Sequence, residues 1–515
     1  MVQPNRSIVM KGFESVDSTA VLLRGEVREG MGRITEIDVE FFSNVVDLDL
    51  EKALESTVSL AIQSETGDTI HFTGQCIGIA FQGHFGQMPF YYMRLAAWPW
   101  YLTQRTDCRI FQDKTTKEII EEVVQDEGYT SQLEFNLSHQ DQLLARPYCV
   151  QYRESALDFI HRLMVDDGLN FYMRHDALSS TLVVTDDPSK LPDVPGETGV
   201  RFRYKRALSH EDTDVVYEWN AMRIARSSKV TLDDHDYEKA GANLQTSKRV
   251  DGASLGARSE IYDYPGGFVQ RGGSDGEGGA RVGNADHVVG TWAESIESEL
   301  ERATAVGNAR RILTAHRFSL TDHNRSAANM VYTVLRATHQ FQIDPELGED
   351  EDLENTLLTR RATLPPLALQ GATQDRVTGD FERYRVTFEA QPGSAPLRLP
   401  RDCPRPVIPG LQTAVVVGSE GKEVDTDSYG RVKVQFRWDR LGERDERSSC
   451  WVRTALPWAG DDYGMVFVPR IGQEVVVQFE EGDPDRPVIA GMLYNSASGP
   501  PLGAEEMHHQ VGLRT

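Results

Sequence analysis

The pentapeptide Gly252-Ala253-Ser254-Leu255-Gly256 has the G-x-S-x-G spacing that, on a sharp strand-to-helix turn, presents a nucleophilic serine beside backbone amides able to hold an oxyanion. Its flanks deny it that turn. The polar run Lys248-Arg249-Val250-Asp251 stands where an apolar strand must lead in, and no amphipathic helix follows directly. Asp425-Thr426-Asp427-Ser428-Tyr429-Gly430 begins like a calcium loop, in which alternate carboxylates gather around a hard cation. Tyr429 occupies the third ligand position, however, and Phe436 the twelfth, where a bidentate glutamate is needed. These residues read as a turn ahead of a strand. His508-His509 is an adjacent imidazole pair in a polar tail, with no acid or thiol in register to complete a metal site. The zinc-protease H-E-x-x-H and the phosphate-binding G-x-x-x-x-G-K-[ST] patterns do not occur, and no G-x-G-x-x-G sits between a strand and a helix. Carboxylates are abundant, but abundance does not identify a glycosidase pair. We therefore assign no residue as catalytic, cofactor-binding or metal-ligating, and expect no cofactor and no enzyme activity.

Bulk composition excludes further classes. The net charge of −25 repels phosphate backbones, and short basic clusters such as residues 201–206 (RFRYKR) alternate with aromatics like a solvated strand face, so nucleic acid is not an expected partner. Five cysteines (Cys76, Cys108, Cys149, Cys403, Cys450), widely spaced and without a C-x-x-C pair, argue against a disulfide framework and a zinc site. The N-terminus lacks the apolar core of a signal peptide, and no window is apolar for the about 18 residues that a membrane span requires, so stable membrane insertion is not expected. A hydrophobic fraction of 39% and a charged fraction of 26% are ordinary for a globular chain, and 515 residues allow three or four compact units.

The elements that would position any site are mainly strands. Residues 21–27, 34–43, 57–64, 70–81 and 90–98 alternate with a period of two between glycine-bearing turns, which predicts a curved sheet or barrel. Two amphipathic helices follow. Thr115 to Glu118 is a capping box ahead of Ile119, Ile120, Val123 and Val124, with Gly128 as the stop; Ser155 caps a stripe of Leu157, Ile160, Leu163 and Met164 that ends at Gly168. The β pattern returns in residues 215–227, 316–323, 329–341 and 381–391. It is interrupted by a Gly-rich polar segment (266–279), a helix expected within 287–304, and an acidic run (346–355), read together as surface excursions. After the Pro-rich stretch 394–410, Val432, Val434, Phe436 and Trp438 alternate with Arg431, Lys433, Gln435 and Arg437. With residues 415–418, 450–455, 464–469, 474–479 and 487–493, they predict a five-stranded barrel of the oligonucleotide/oligosaccharide-binding (OB) type. Such barrels can bind single strands on aromatics, and Phe436, Trp438, Trp451, Trp458 and Tyr463 are available, but Phe436 and Trp438 share the valine face and read as core.

The segments DCRIFQDKTTKEIIEEVV (107–124), RPYCVQYRESALDFIHRLMVDDGLNFY (146–172), IYDYPGGF (261–268), DSYGRVKVQFRWDR (427–440) and RIGQEVVVQFEEGDPDRPVIAGMLYN (470–495), in this order, resemble the VgrG (valine-glycine repeat protein G) spike family of type VI secretion, itself similar to contractile phage tail hub and needle-base proteins. The resemblance implies a fold that is mainly β with some α: two hub β-barrel domains with an α/β unit, followed by an OB-fold β-barrel. Residues 1–105 would be a first hub β-barrel, 106–195 an α/β unit with two capped helices, and 196–395 a second hub β-barrel with mobile excursions. Residues 396–410 would be a Pro-rich hinge, 411–495 the OB-fold collar, and 496–515 a linker and the start of a β-helix needle whose valine-glycine repeats the sequence does not contain. The resemblance also implies a homotrimer seated on a hexameric tube protein. Needle, tip protein and effectors would join only through a C-terminal extension. The chain would be cytoplasmic when assembled and secreted by the type VI machinery without a signal peptide. A phage or phage-derived tail hub is the alternative in the same class, and a hydrolytic effector the alternative in another.

Overall fold

The computed structural model describes residues 7–54, 56–64, 67–85, 88–208, 213–253, 255–256, 259–269, 279–342 and 384–501. Ser254, His508, His509, the acidic run 346–355, the middle of the Gly-rich segment and the last fourteen residues lie outside them.

The period-two runs of the first hundred residues become β1 (Ile8–Lys11), β2 (Val21–Gly30), β3 (Glu36–Phe42), β4 (Thr57–Gln63), β5 (Thr69–Phe85) and β6 (Met88–Ala96), with a one-turn helix α1 (Leu50–Leu54) between β3 and β4. They pair in the order β1-β4-β5-β6-β3-β2, and β1 comes back alongside β2. Ile37, Val39, Phe41, Leu60, Phe72 and Leu95 fill the concave side, as alternation requires.

The chain then leaves the sheet through α2 (Trp100–Gln104), β7 (Thr106–Phe111), α3 (Thr116–Asp126), β8 (Leu133–Asn136), β9 (Cys149–Ser155), α4 (Ala156–Asp166), β10 (Asn170–His175) and β11 (Ser180–Thr185). Both expected caps form. Thr115 Oγ1 accepts from the Glu118 amide while the Glu118 carboxylate accepts from the Thr115 amide, and Ser155 Oγ accepts from the Asp158 amide. Ile119, Ile120, Val123 and Val124 of α3 meet Phe159, Ile160, Leu163 and Met164 of α4 in a core separate from the barrel.

Strands β12 (Gly199–Phe202) and β13 (Val215–Arg223) open the second barrel. A small sheet follows: β14 (Lys229–Leu232), β15 (Thr246–Arg249) and β16 (Glu260–Asp263), backed by α5 (Gly279–Glu297). This corrects the expected surface excursion. Val288, Val289 and Ala293 of α5 pack on Val230, Leu232 and Phe268 as a core of their own. The helix expected within 287–304 does form, beginning earlier, at Gly279, and ending at Glu297. Leu300 closes a turn onto Glu297, and Glu301 to Gly307 form β17, whose small alternating Ala303 and Ala305 face inward. Strands β18 (Arg317–Thr321), β19 (Val331–Gln342) and β20 (Tyr384–Pro392) complete the set, and pairing of β19 with β20 closes the ring β19-β18-β12-β13-β17-β20.

The two six-stranded halves are one twelve-stranded sheet, welded where β2 pairs antiparallel with β19. Gly25 of β2 lies opposite Phe341; a Cβ there would stand 2.5 Å from the phenyl ring, so only glycine lets that ring cross the seam.

Strands β21 (Gln412–Val417), β22 (Lys433–Phe436), β23 (Arg453–Thr454), β24 (Ala459–Gly460), β25 (Tyr463–Gly464), β26 (Glu474–Phe479) and β27 (Pro487–Leu493) make the collar. The barrel order is β22-β21-β26-β27-β23, closed by a bridge between Val432 and Val452. Val432, Val434 and Phe436 are buried as expected. Residues 464–469 are not a barrel strand: the ring is already closed without them, so Met465, Val466 and Phe467 stay exposed beside the small β24–β25 hairpin.

Candidate functional site

The residues with chemical potential are mostly spent on structure. Asp425 accepts from the Ser419 amide and hydroxyl and from Lys422 Nζ, contacts that hold its carboxyl down to about 2. Asp427 accepts from the amides of Tyr429 and Arg431 and pairs with the Arg431 side chain. The calcium-like segment is thus a turn whose carboxylates are already committed. Among the described residues, no group of three or more histidine, cysteine or acidic side chains could hold a metal. Burial pushes the thiols of Cys149 and Cys450 up to about 12 and those of Cys76 and Cys403 up to about 11, far from the thiolate that nucleophilic chemistry requires.

A buried polar cluster at the seam went unseen in the sequence. Glu29 of β2 accepts from the Thr314 amide (2.5 Å) and lies 3.4 Å from Nε2 of His339 on β19, whose Nδ1 meets the Tyr384 hydroxyl of β20 at 2.7 Å. Burial raises the Glu29 carboxyl, but the His339 contact and the Thr314 amide outweigh it and hold the group below its ordinary value. Nearby, burial drives His175 down to about 4; its ring nitrogens sit 2.9 Å from Thr35 Oγ1 and 3.1 Å from the Thr73 carbonyl. Carboxylate, imidazole and phenol here resemble an acid–base relay, yet His339 and Glu29 are closed off from solvent and no substrate could reach them. Their partners come from both barrels, so the cluster fixes the seam.

Two kinds of surface distinguish the collar. Phe436 stacks on Trp438 at 5.0 Å, and Trp438 Nε1 donates to Gln412, whose amide donates to the Tyr152 hydroxyl of β9; these aromatics belong to the core and to the joint with the α/β unit. Trp458 and Tyr463, 5.8 Å apart, stand outside with Met465, Val466 (80% exposed) and Phe467. These side chains lie outside the buried core of the collar barrel.

The fold has relatives. Residues 28–345 match the phage tail baseplate hub (GPD) family, and residues 409–494 match the type VI secretion system/phage-baseplate injector OB domain. The chain is 34% identical to the type VI secretion system spike protein VgrG1a of Pseudomonas aeruginosa, over 96% of this chain and 70% of that protein. The chain belongs to the VgrG spike family. It is also 35% identical to VgrG1b of the same organism, and spans 61% of the length of that VgrG. Among solved structures, an E. coli component of the type VI secretion system with similarity to the T4 tail proteins gp27 and gp5 matches at a TM-score of 0.60 and 19% identity, covering 95% of this chain and all of that one. A chain of a Francisella PdpA–VgrG complex matches at a TM-score of 0.56 and 10% identity, over 92% of this chain and 67% of that one. The shared VgrG architecture is hub barrels followed by an OB barrel.

Proposed function

We propose that this chain is the base and collar of a type VI secretion spike: it caps a hexameric tube, converts threefold to sixfold symmetry, and passes thrust from a contracting sheath to whatever extends from its C-terminal end. The observation that carries this reading is the pair of six-stranded barrels joined through β2 and β19. Three copies of such a chain present six similar barrels, the number a hexameric ring needs, while the collar stays threefold. The exposed Trp458, Tyr463, Met465, Val466 and Phe467 supply apolar area for contact between collars. The role is mechanical, and no residue is assigned a catalytic part in it. Its release follows the spike route, through the type VI machinery; no helix among the described residues is long and apolar enough to cross a membrane.

A Vibrio cholerae relative, 28% identical, is named an actin cross-linking toxin, and this chain spans 42% of its length, so the toxin's activity is not carried over. Light scattering coupled to size exclusion tests the proposal, with an expected mass three times the 57.7 kDa of one chain. Co-purification with a hexameric tube protein is the second arm. A stable monomer that hydrolyses peptidoglycan or an ester would overturn it. The match to a phage baseplate hub family favours a phage-derived hub as the second reading, and retention of a phage tube protein in place of the secretion tube would select it.

A further inference from the structure

Residues 396–410 carry five prolines, Pro396, Pro400, Pro404, Pro406 and Pro409, and join the second barrel to the collar. Proline fixes φ near −65°, so a segment this rich in it is short of the backbone freedom that a pivot uses. The side chains around it point the same way. The Leu397 side chain is buried and its carbonyl accepts from Asn170 Nδ2 at the start of β10 (2.7 Å). Arg398 donates to the Asp186 carbonyl just past β11 (2.6 Å) and pairs with Glu294 of α5 (2.8 Å), while its own carbonyl accepts from Ser298 Oγ (3.1 Å).

The strongest anchor is at the end of α4. The helix finishes in Asp166, followed by Asp167, at the terminus where the free carbonyls make negative charge unfavourable, so two nearly buried carboxylates there must be offset by cations from elsewhere. Arg146 serves Asp167 at 3.2 Å. Asp166 is served by residues 396–410 themselves, through Arg401 at 3.0 Å and Arg405 at 2.7 Å, and the Arg401 guanidinium also lies over the Trp292 ring of α5 at 4.9 Å. On the collar side the Ile408 amide donates to the Gly482 carbonyl (2.8 Å). Three residues on, Asp485 Oδ1 accepts from the Val150 amide of β9 (2.7 Å), and Arg486 pairs with the fully buried Asp234 (2.8 Å).

We propose that residues 396–410 are a clamped strap and not a hinge, with Asp166 as the latch that receives Arg401 and Arg405, so that the collar, α4 and α5 move as one rigid body. This holds whatever the chain assembles with; only its use in passing thrust rests on the spike reading, and the mass measurement that tests that reading is independent.

Hydrogen exchange of the full chain tests the strap. The amides of Ile408 and Val150 report the two collar contacts, and amides of β19 report the barrel. In the unaltered chain both collar reporters exchange slowly, as in a packed element. In Asp166→Asn they lose protection by about 100-fold, the equivalent of breaking a buried charge pair, while β19 is unchanged. Arg405→Ala, which removes a half-exposed strap cation and leaves α4 intact, gives a smaller loss in the same two amides and decides the matter if Asp166→Asn disturbs β19 as well. Exchange of Ile408 at the rate of an unstructured peptide in the unaltered chain overturns the proposal. So does unchanged Ile408 protection in Arg405→Ala.

Discussion

His175 is held neutral by burial, and that single residue makes the hub sensitive to acid. Its folded value of about 4 lies below the 6.5 of an unfolded histidine, so between these limits the unfolded chain takes up a proton that the folded chain refuses. Stability therefore falls as pH drops from 6.5 to 4 and levels off below. With about 1.4 kcal/mol per unit, the loss from this residue is about 3 kcal/mol. Glu29 acts in the same direction: its lowered carboxyl contributes stability above the unfolded value of 4.5 that disappears as pH falls through the folded one. Urea unfolding at several pH values is expected to show the slope, and His175→Gln to flatten it between pH 6.5 and 4. Asp234 makes a second prediction. Its carboxylate is fully buried against Arg486, so Asp234→Ala leaves that nearly buried guanidinium only Glu480 at 4.0 Å and costs about 3 kcal/mol, read as a drop in the unfolding midpoint.

Elements differ in how much of their stability is local. The α3 cap is made within four residues, so Thr115→Ala is expected to cost about 1 kcal/mol, a shift visible in thermal unfolding, without altering the barrels. The β2–β19 weld is the opposite case. Gly25 has no side chain because Phe341 occupies the space, so Gly25→Val overpacks the seam by about 1–3 kcal/mol. Faster exchange in β2 and β19 than in β26 and β27 is the expected signature, since the collar barrel has its own core. Uniform exchange across all four strands would place the effect elsewhere.

At the scale of the whole molecule, the face formed by Trp458, Tyr463 and Val466 lies outside the collar core, so it can be altered without unfolding the barrel. Val466→Asp buries a carboxylate if collars pack there, and a shift from trimer to monomer in light scattering with an unchanged collar melt is expected. Retention of the trimer would move the subunit contact to another surface. In the proposed trimer the net charge of −25 per chain makes association salt-dependent as well, because three like-charged copies would be brought together.

Local patterns were legible in the sequence. Alternation fixes which face of Val432, Val434 and Phe436 is core; Thr115 and Ser155 mark helix starts through bonds that span three residues; and five ordered segments identify the VgrG resemblance. Two barrels and an OB collar followed from these. The core beneath α5 was missed because glycine and polar residues in the segment before it hid the stripe of Val288, Val289 and Ala293. The barrel strand expected at 464–469 failed because a run of apolar residues records a preference for burial and cannot tell a barrel stave from a face left open. Tertiary structure alone joined Glu29 to His339, 310 residues apart, and brought Arg401 and Arg405 to Asp166. Spacing along a chain governs contacts within a turn or a hairpin, whereas these depend on how the layers stack once all of them have formed.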